Sequence, residues 1–88
     1  MKVLKFGAVW CPGCLVMKPR WEEIEKELNI DTEYYDYDED KREIEKWSIG
    51  SILPVFIFLD KDENEFLRLI GEQSKNKLID IIKQNKDK

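Results

Sequence analysis

Two cysteines, Cys11 and Cys14, stand three positions apart in a chain of 88 residues and are the only ones it has. A structural disulfide stabilises mainly by closing a long loop, so a bridge around so short a ring would gain little. Small secreted scaffolds that rely on disulfides also carry more pairs. The spacing therefore points to chemistry rather than stapling. Its context narrows the fold as well. Val3 to Ala8 is short, apolar and partly β-branched, as a buried strand is. Pro12 sits where a first helical position tolerates proline. From Cys14 onward, Leu15, Met17, Trp21, Ile24 and Leu28 recur at spacings of two to four, as one face of an amphipathic helix does. Pro19 lies inside that stretch and is expected to bend it.

The remainder divides cleanly. Thr32 to Tyr37 reads as a second strand. Asp38 to Lys41 is a polar turn, and Asp40 is placed to cap a short helix over Arg42 to Trp47. Pro54 to Leu59 is nearly all apolar, as a strand covered on both faces would be. A polar turn, Asp60 to Asn64, joins it to the alternating Glu65 to Ile70, which predicts a hairpin. Gly71 breaks that strand. Ser74 then caps a last helix with apolar positions Leu78, Ile79, Ile81 and Ile82. The order β-α-β-α-β-β-α predicts a single α/β domain over residues 1–88, a four-stranded mixed sheet with three helices on its two faces.

Composition excludes several function classes. Fifteen basic against nineteen acidic residues leave a net charge of −4, the wrong sign for binding phosphate backbones, so no nucleic acid is expected. The chain lacks histidine, which removes the metal, triad and acid–base schemes built on imidazole. No apolar run approaches the roughly 20 residues of a membrane span, so no membrane is expected either. Met1 to Phe6 is basic but has no signal-peptide pattern, so a chain starting there is expected in the cytosol.

Cys11-Pro12-Gly13-Cys14 follows a strand and opens a helix, and that setting makes a common spacing specific. Disulfide exchange needs a thiolate, which a free thiol with a pKa near about 8.5 supplies only sparsely at neutral pH. A helix amino terminus favours the anion through its unpaired N–H groups and positive dipole end. Cys11 occupies that end, expected to be exposed, and Cys14 lies one turn further in, placed to attack a mixed disulfide formed by Cys11. Two alternatives stand beside this. Half a zinc site would need dimerisation to reach four ligands, so no metal is expected. The pair could also be inert.

The segment Phe6-Gly7-Ala8-Val9-Trp10-Cys11-Pro12-Gly13-Cys14-Leu15-Val16-Met17-Lys18-Pro19 resembles the active-site segment of thioredoxins. The match includes the tryptophan before the first cysteine and the proline five residues after the second. Asp36 and Asp38 in the second strand region, Leu53-Pro54 before an apolar strand, and Gly71 followed by Ser74-Lys75 agree with it. The resemblance implies a minimal thioredoxin fold without the family's usual first strand and helix. It implies Cys11 as nucleophile, Cys14 as resolving thiol and Trp10 as a flat apolar cover. Pro54 would be the cis-proline beside them, and the Leu53 backbone would pair with an extended substrate. The implied activity is reduction of disulfides in proteins. The implied cofactor is none beyond a redox-active Cys11–Cys14 disulfide, recharged by a thioredoxin-reductase-like flavoprotein, in a monomer. A glutaredoxin-like carrier coupled to a small thiol and a non-catalytic binding adaptor are the alternatives.

The chain departs from the family in four places. Pro12-Gly13 replaces the usual Gly-Pro, and this dipeptide is where the family tunes its potential. Lys5 stands where thioredoxins keep a buried acid; it would either favour thiolate by its charge or snorkel to solvent. Ser51-Ile52-Leu53-Pro54 is one residue longer than the usual approach to the cis-proline. Thr32 to Tyr37 becomes a sheet edge, a route to a dimer, with Tyr34, Tyr35 and Tyr37 read as strand packing and Asp36 and Asp38 discouraging edge pairing. Ile52-Leu53-Pro54 and Gly71-Glu72-Gln73-Ser74 do not match the glutathione-binding segments of glutaredoxins, so glutathione recognition is disfavoured.

Overall fold

Every residue of Val55–Leu59 is buried, and this strand is one of the two that form the centre of the sheet. The computed structural model describes residues 1–88. Its elements are β1 (Lys2–Gly7), α1 (Pro12–Leu28), β2 (Asp31–Asp36), α2 (Lys41–Lys46), β3 (Val55–Leu59), β4 (Glu65–Ile70) and α3 (Lys75–Gln84). The sheet order is β2-β1-β3-β4. β1 runs parallel to β2 and antiparallel to β3, and β3 and β4 form the expected hairpin. Parallel strands cannot be joined by a tight turn, which is why α1 crosses between β1 and β2.

Alternation along the strands sorts the core into two layers. Val3, Phe56 and Phe58 face Met17, Trp21 and Ile24 of α1 and Leu78 and Ile82 of α3. Leu4, Phe6, Val55, Ile57 and Leu59 face the other way, under Ile49, Ile44 and Trp47. Trp21 anchors the first layer, with its ring centroid 5.4 Å from that of Phe56 and 6.5 Å from that of Phe58. Lys5 and Gly7 share the α1 face with Val3, because they are two and four residues further along β1.

Several local expectations shift. Leu15 is exposed, not inward: the buried stripe of α1 is Met17, Trp21 and Ile24, and Leu15 falls beside it. α1 continues as one helix across Pro19, which a bend allows, and ends on Asn29, whose left-handed backbone (φ 50°) lets its N–H reach the Glu25 carbonyl. The second strand spans Asp31–Asp36 and the chain turns at Tyr37, because the Asp36 carboxylate takes the N–H groups of Asp38 and Glu39. Asp40 precedes α2 but does not cap it; its carboxylate accepts the Asp36 N–H at 2.7 Å instead. That helix is Lys41–Lys46, with Trp47 just past its end. Pro54 stands before β3 rather than within it. Ser74 does cap α3, its hydroxyl accepting the Lys77 N–H at 3.2 Å.

Candidate active site

The chain leaves β1 at Gly7 and turns tightly, the Cys11 N–H donating to the Ala8 carbonyl at 3.2 Å. That turn delivers Cys11 to the N-cap of α1 in extended backbone (φ −96°, ψ 112°), with Pro12 at the first helical position. The Cys14 N–H donates to the Cys11 sulfur at 3.3 Å. A sulfur therefore takes the place usually filled by a capping oxygen, where N–H groups and the helix dipole favour negative charge. Both cysteines are free thiols.

Access differs from the expected exposed end. Cys11 is buried, with 6% of its surface open, whereas Cys14 is half-buried and lines a cavity of about 480 Å³. The reason lies in the cap itself, since the Cys11 sulfur turns back over the first helical turn to meet the Cys14 N–H. Burial, and then the contact with Cys11, push the Cys14 thiol up to about 12.

Gly13 and Pro54 meet at the start of α1. The Leu53–Pro54 bond is cis, and the Pro54 carbonyl accepts the Gly71 N–H at 2.7 Å. A Cβ on Gly13 would come within 3.3 Å of Pro54 Cδ, so the small residue in Pro12-Gly13 sits against that proline. Trp10 is 57% exposed. Its indole N–H donates to Asp38 Oδ2 at 2.7 Å and its ring meets Tyr37 edge-on at 6.0 Å. The sequence marks Asp38 as part of the thioredoxin resemblance and as a strand-edge charge, but not as the tether for Trp10.

Beneath Cys14 the arrangement is new. Lys5 neither snorkels nor stands as a free cation. Its ammonium pairs with Glu25 Oε2 at 2.9 Å and lies 5.9 Å from the Trp21 ring centroid. Their side chains are 17% and 31% exposed. The acid partner thus comes from α1. Tyr34 departs from the packing expected of the three tyrosines. Tyr35 stacks on Phe6 at 5.5 Å and Tyr37 braces Trp10, but Tyr34 lines the cavity with Cys14. Register explains it: Tyr34 pairs with Lys5 across the parallel strands and so shares its face. No group of three or more cysteine, aspartate or glutamate side chains is gathered as a metal site would need.

The family model for thioredoxin matches residues 1–84. The chain belongs to the thioredoxin family. Among solved thioredoxins, thioredoxin 1 of Thermosipho africanus is 30% identical, with a TM-score of 0.83 over 96% of this chain and 92% of that one. A malaria-parasite thioredoxin-2 is also 30% identical, with a TM-score of 0.87 over 94% and 81% of the two chains. The thioredoxin of Fasciola hepatica is 29% identical, with a TM-score of 0.84 over 96% and 79%. No curated protein matches by sequence. Thioredoxin membership, the fold and the adjacent cysteines together support thiol–disulfide oxidoreductase chemistry in general. Thioredoxins act on disulfides, and no helix here is long and apolar enough to cross a membrane.

Proposed function

We propose that the chain is a cytosolic dithiol reductant of protein disulfides, in which Cys11 attacks and Cys14 resolves. The observation that carries this order is the asymmetry of the two sulfurs. Cys11 caps the helix amino terminus and accepts the Cys14 N–H, whereas Cys14 is pushed up to about 12 and stays a thiol. The Cys11 thiolate attacks one sulfur of a substrate disulfide, and the other leaves as a thiolate. Cys14 then loses its proton and attacks Cys11, the Cys11–Cys14 disulfide forms, and the reduced substrate departs. Two electrons pass to the substrate. A thioredoxin-reductase-like flavoprotein would return them, with no cofactor beyond the cysteine pair.

Trp10, Pro12, Gly13, Leu53 and Pro54 shape the approach to Cys11 in this reading. The exposed apolar side chains Val9, Trp10, Leu15 and Ile52 would meet a protein substrate rather than a small thiol. A second reading reverses the cysteines, because Cys14 is the more open of the two.

Trapping separates these readings. A Cys14→Ser chain should accumulate mixed disulfides on Cys11, and a Cys11→Ser chain should accumulate none. The opposite pattern assigns the attack to Cys14. Insulin reduction by dithiothreitol that the wild-type chain fails to accelerate would leave a binding adaptor instead.

A further inference from the structure

Tyr34 has a hydroxyl without an acceptor. The Asp36 and Asp40 carboxylates, whose charges it feels, accept backbone N–H groups instead. Its position relative to Cys14 follows from Gly7. A Cβ built on Gly7 would lie 3.1 Å from the Tyr34 oxygen and 3.2 Å from the Cys14 sulfur. Both groups thus lie against the bare α-carbon of Gly7 on β1, not hydrogen-bonded to each other, and both line the same cavity.

The other charged groups around that cavity are less suited to help. Lys5 on β1 is engaged by Glu25 of α1. Lys18 and Glu22 of α1 are exposed at its rim, and Asp36 of β2 bears the charge that opposes an anion. From β3 and its approach come only the apolar Phe56 and Pro54. The phenol remains as a neutral donor, for burial first, and then Asp36 and the sulfurs, raise its pKa above the ordinary value.

We infer that Tyr34 is a positioning residue of the exchange reaction, donating a hydrogen bond to the Cys14 sulfur as that sulfur becomes an anion. The inference rests on the order of cysteines proposed above. In the resolving step the Cys14 proton goes to solvent, and the phenol keeps its own. The thiolate attacks Cys11, the bond between Cys11 and the substrate breaks, and the substrate thiolate takes a proton from water.

A symmetrical nitrophenyl disulfide whose released thiolate is coloured reads the two steps separately. Attack by Cys11 releases one coloured thiolate, and resolution by Cys14 releases the second. Tyr34→Phe removes a single oxygen from a residue that is 53% exposed, so the chain should still fold. The second release should slow about tenfold at neutral pH, the effect of losing a hydrogen bond to a charged group. Its pH midpoint should move upward while the first release is unchanged. A second release as fast as in the wild type, or equal slowing of both, overturns the role of Tyr34 and leaves the proposed function intact. A Cys14→Ser chain must keep the first release and lose the second; loss of the first overturns the cysteine order and this inference with it.

Discussion

Cys11 and Cys14 lie one helical turn apart, yet their surroundings have little in common. Cys11 caps a helix end, directly after the exposed Trp10. Cys14 sits over the flank of the sheet, beside a cavity walled by Tyr34, the Lys5–Glu25 pair and the packed ring of Trp21. The buried Cys11 thus lies next to an exposed indole, whereas the more open Cys14 faces a cavity whose floor is the core. Under the proposed order, the difference separates a sulfur that caps a helix end from one whose ionisation is withheld until the second step.

Trp10 and Trp21, two of the three tryptophans, offer the largest test of that division. Trp21 is 2% exposed and packs on Phe56 and Phe58, so Trp21→Ala should cost about 3–5 kcal/mol by urea denaturation. Trp10→Ala should cost only about 1 kcal/mol, the worth of its bond to Asp38, while impairing insulin reduction more than stability. Similar stability losses in the two variants would show that the Cys11 rim is as much core as the Cys14 floor.

The rim was readable in the sequence, and the floor was not. Residues 10 to 14 are contiguous, and their roles follow from where one strand ends and one helix begins. The strands were legible for the same reason, since the apolar runs of β1 and β3 and the alternation of β4 are local patterns. Leu15 was misplaced because a spacing of two from Met17 fits a helical stripe loosely, and only packing against the sheet selects the buried stripe. The pairing of Lys5 with Glu25 joins residues 20 positions apart, and Tyr34 reaches Cys14 only through strand register. A missing side chain at Gly7 was the nearest available signal for that approach. The burial of Cys11 was hidden too, because the direction of a sulfur is set by its hydrogen bond and not by its place in the chain.

The Lys5–Glu25 pair gives the next effect in size. Lys5→Met removes the ammonium and leaves the Glu25 carboxylate partly buried beside Trp21. A fully buried pair broken this way costs several kcal/mol, but Glu25 is nearly one-third exposed and solvent screens it. A loss of about 1–2 kcal/mol is expected, again by urea denaturation. Removing both partners in Lys5→Met with Glu25→Gln should recover part of it, because no uncompensated charge remains. A double variant less stable than Lys5→Met would mean that the two side chains matter as fillers rather than as a pair.

The smallest effect bears most directly on the contrast between the sulfurs. Folded Cys14 is pushed up to about 12 from an ordinary 9.0, so the folded chain holds a proton that the unfolded chain sheds. The stability tied to that proton is fully present below the unfolded value and is lost as pH rises from there toward the folded one. Under reducing conditions, the wild type should therefore lose stability between about pH 8 and about pH 10.5 faster than Cys14→Ala does. One fully shifted group gives at most about 1.4 kcal/mol per pH unit, and a sulfur beside an open cavity should give under about 1. Cys11, Tyr34 and Tyr35 are present in both chains, so the difference in slope reports Cys14 together with its coupling to Cys11 and Tyr34. Equal slopes would mean that Cys14 titrates as it does in the unfolded chain, and the cavity side would then withhold nothing from the reaction.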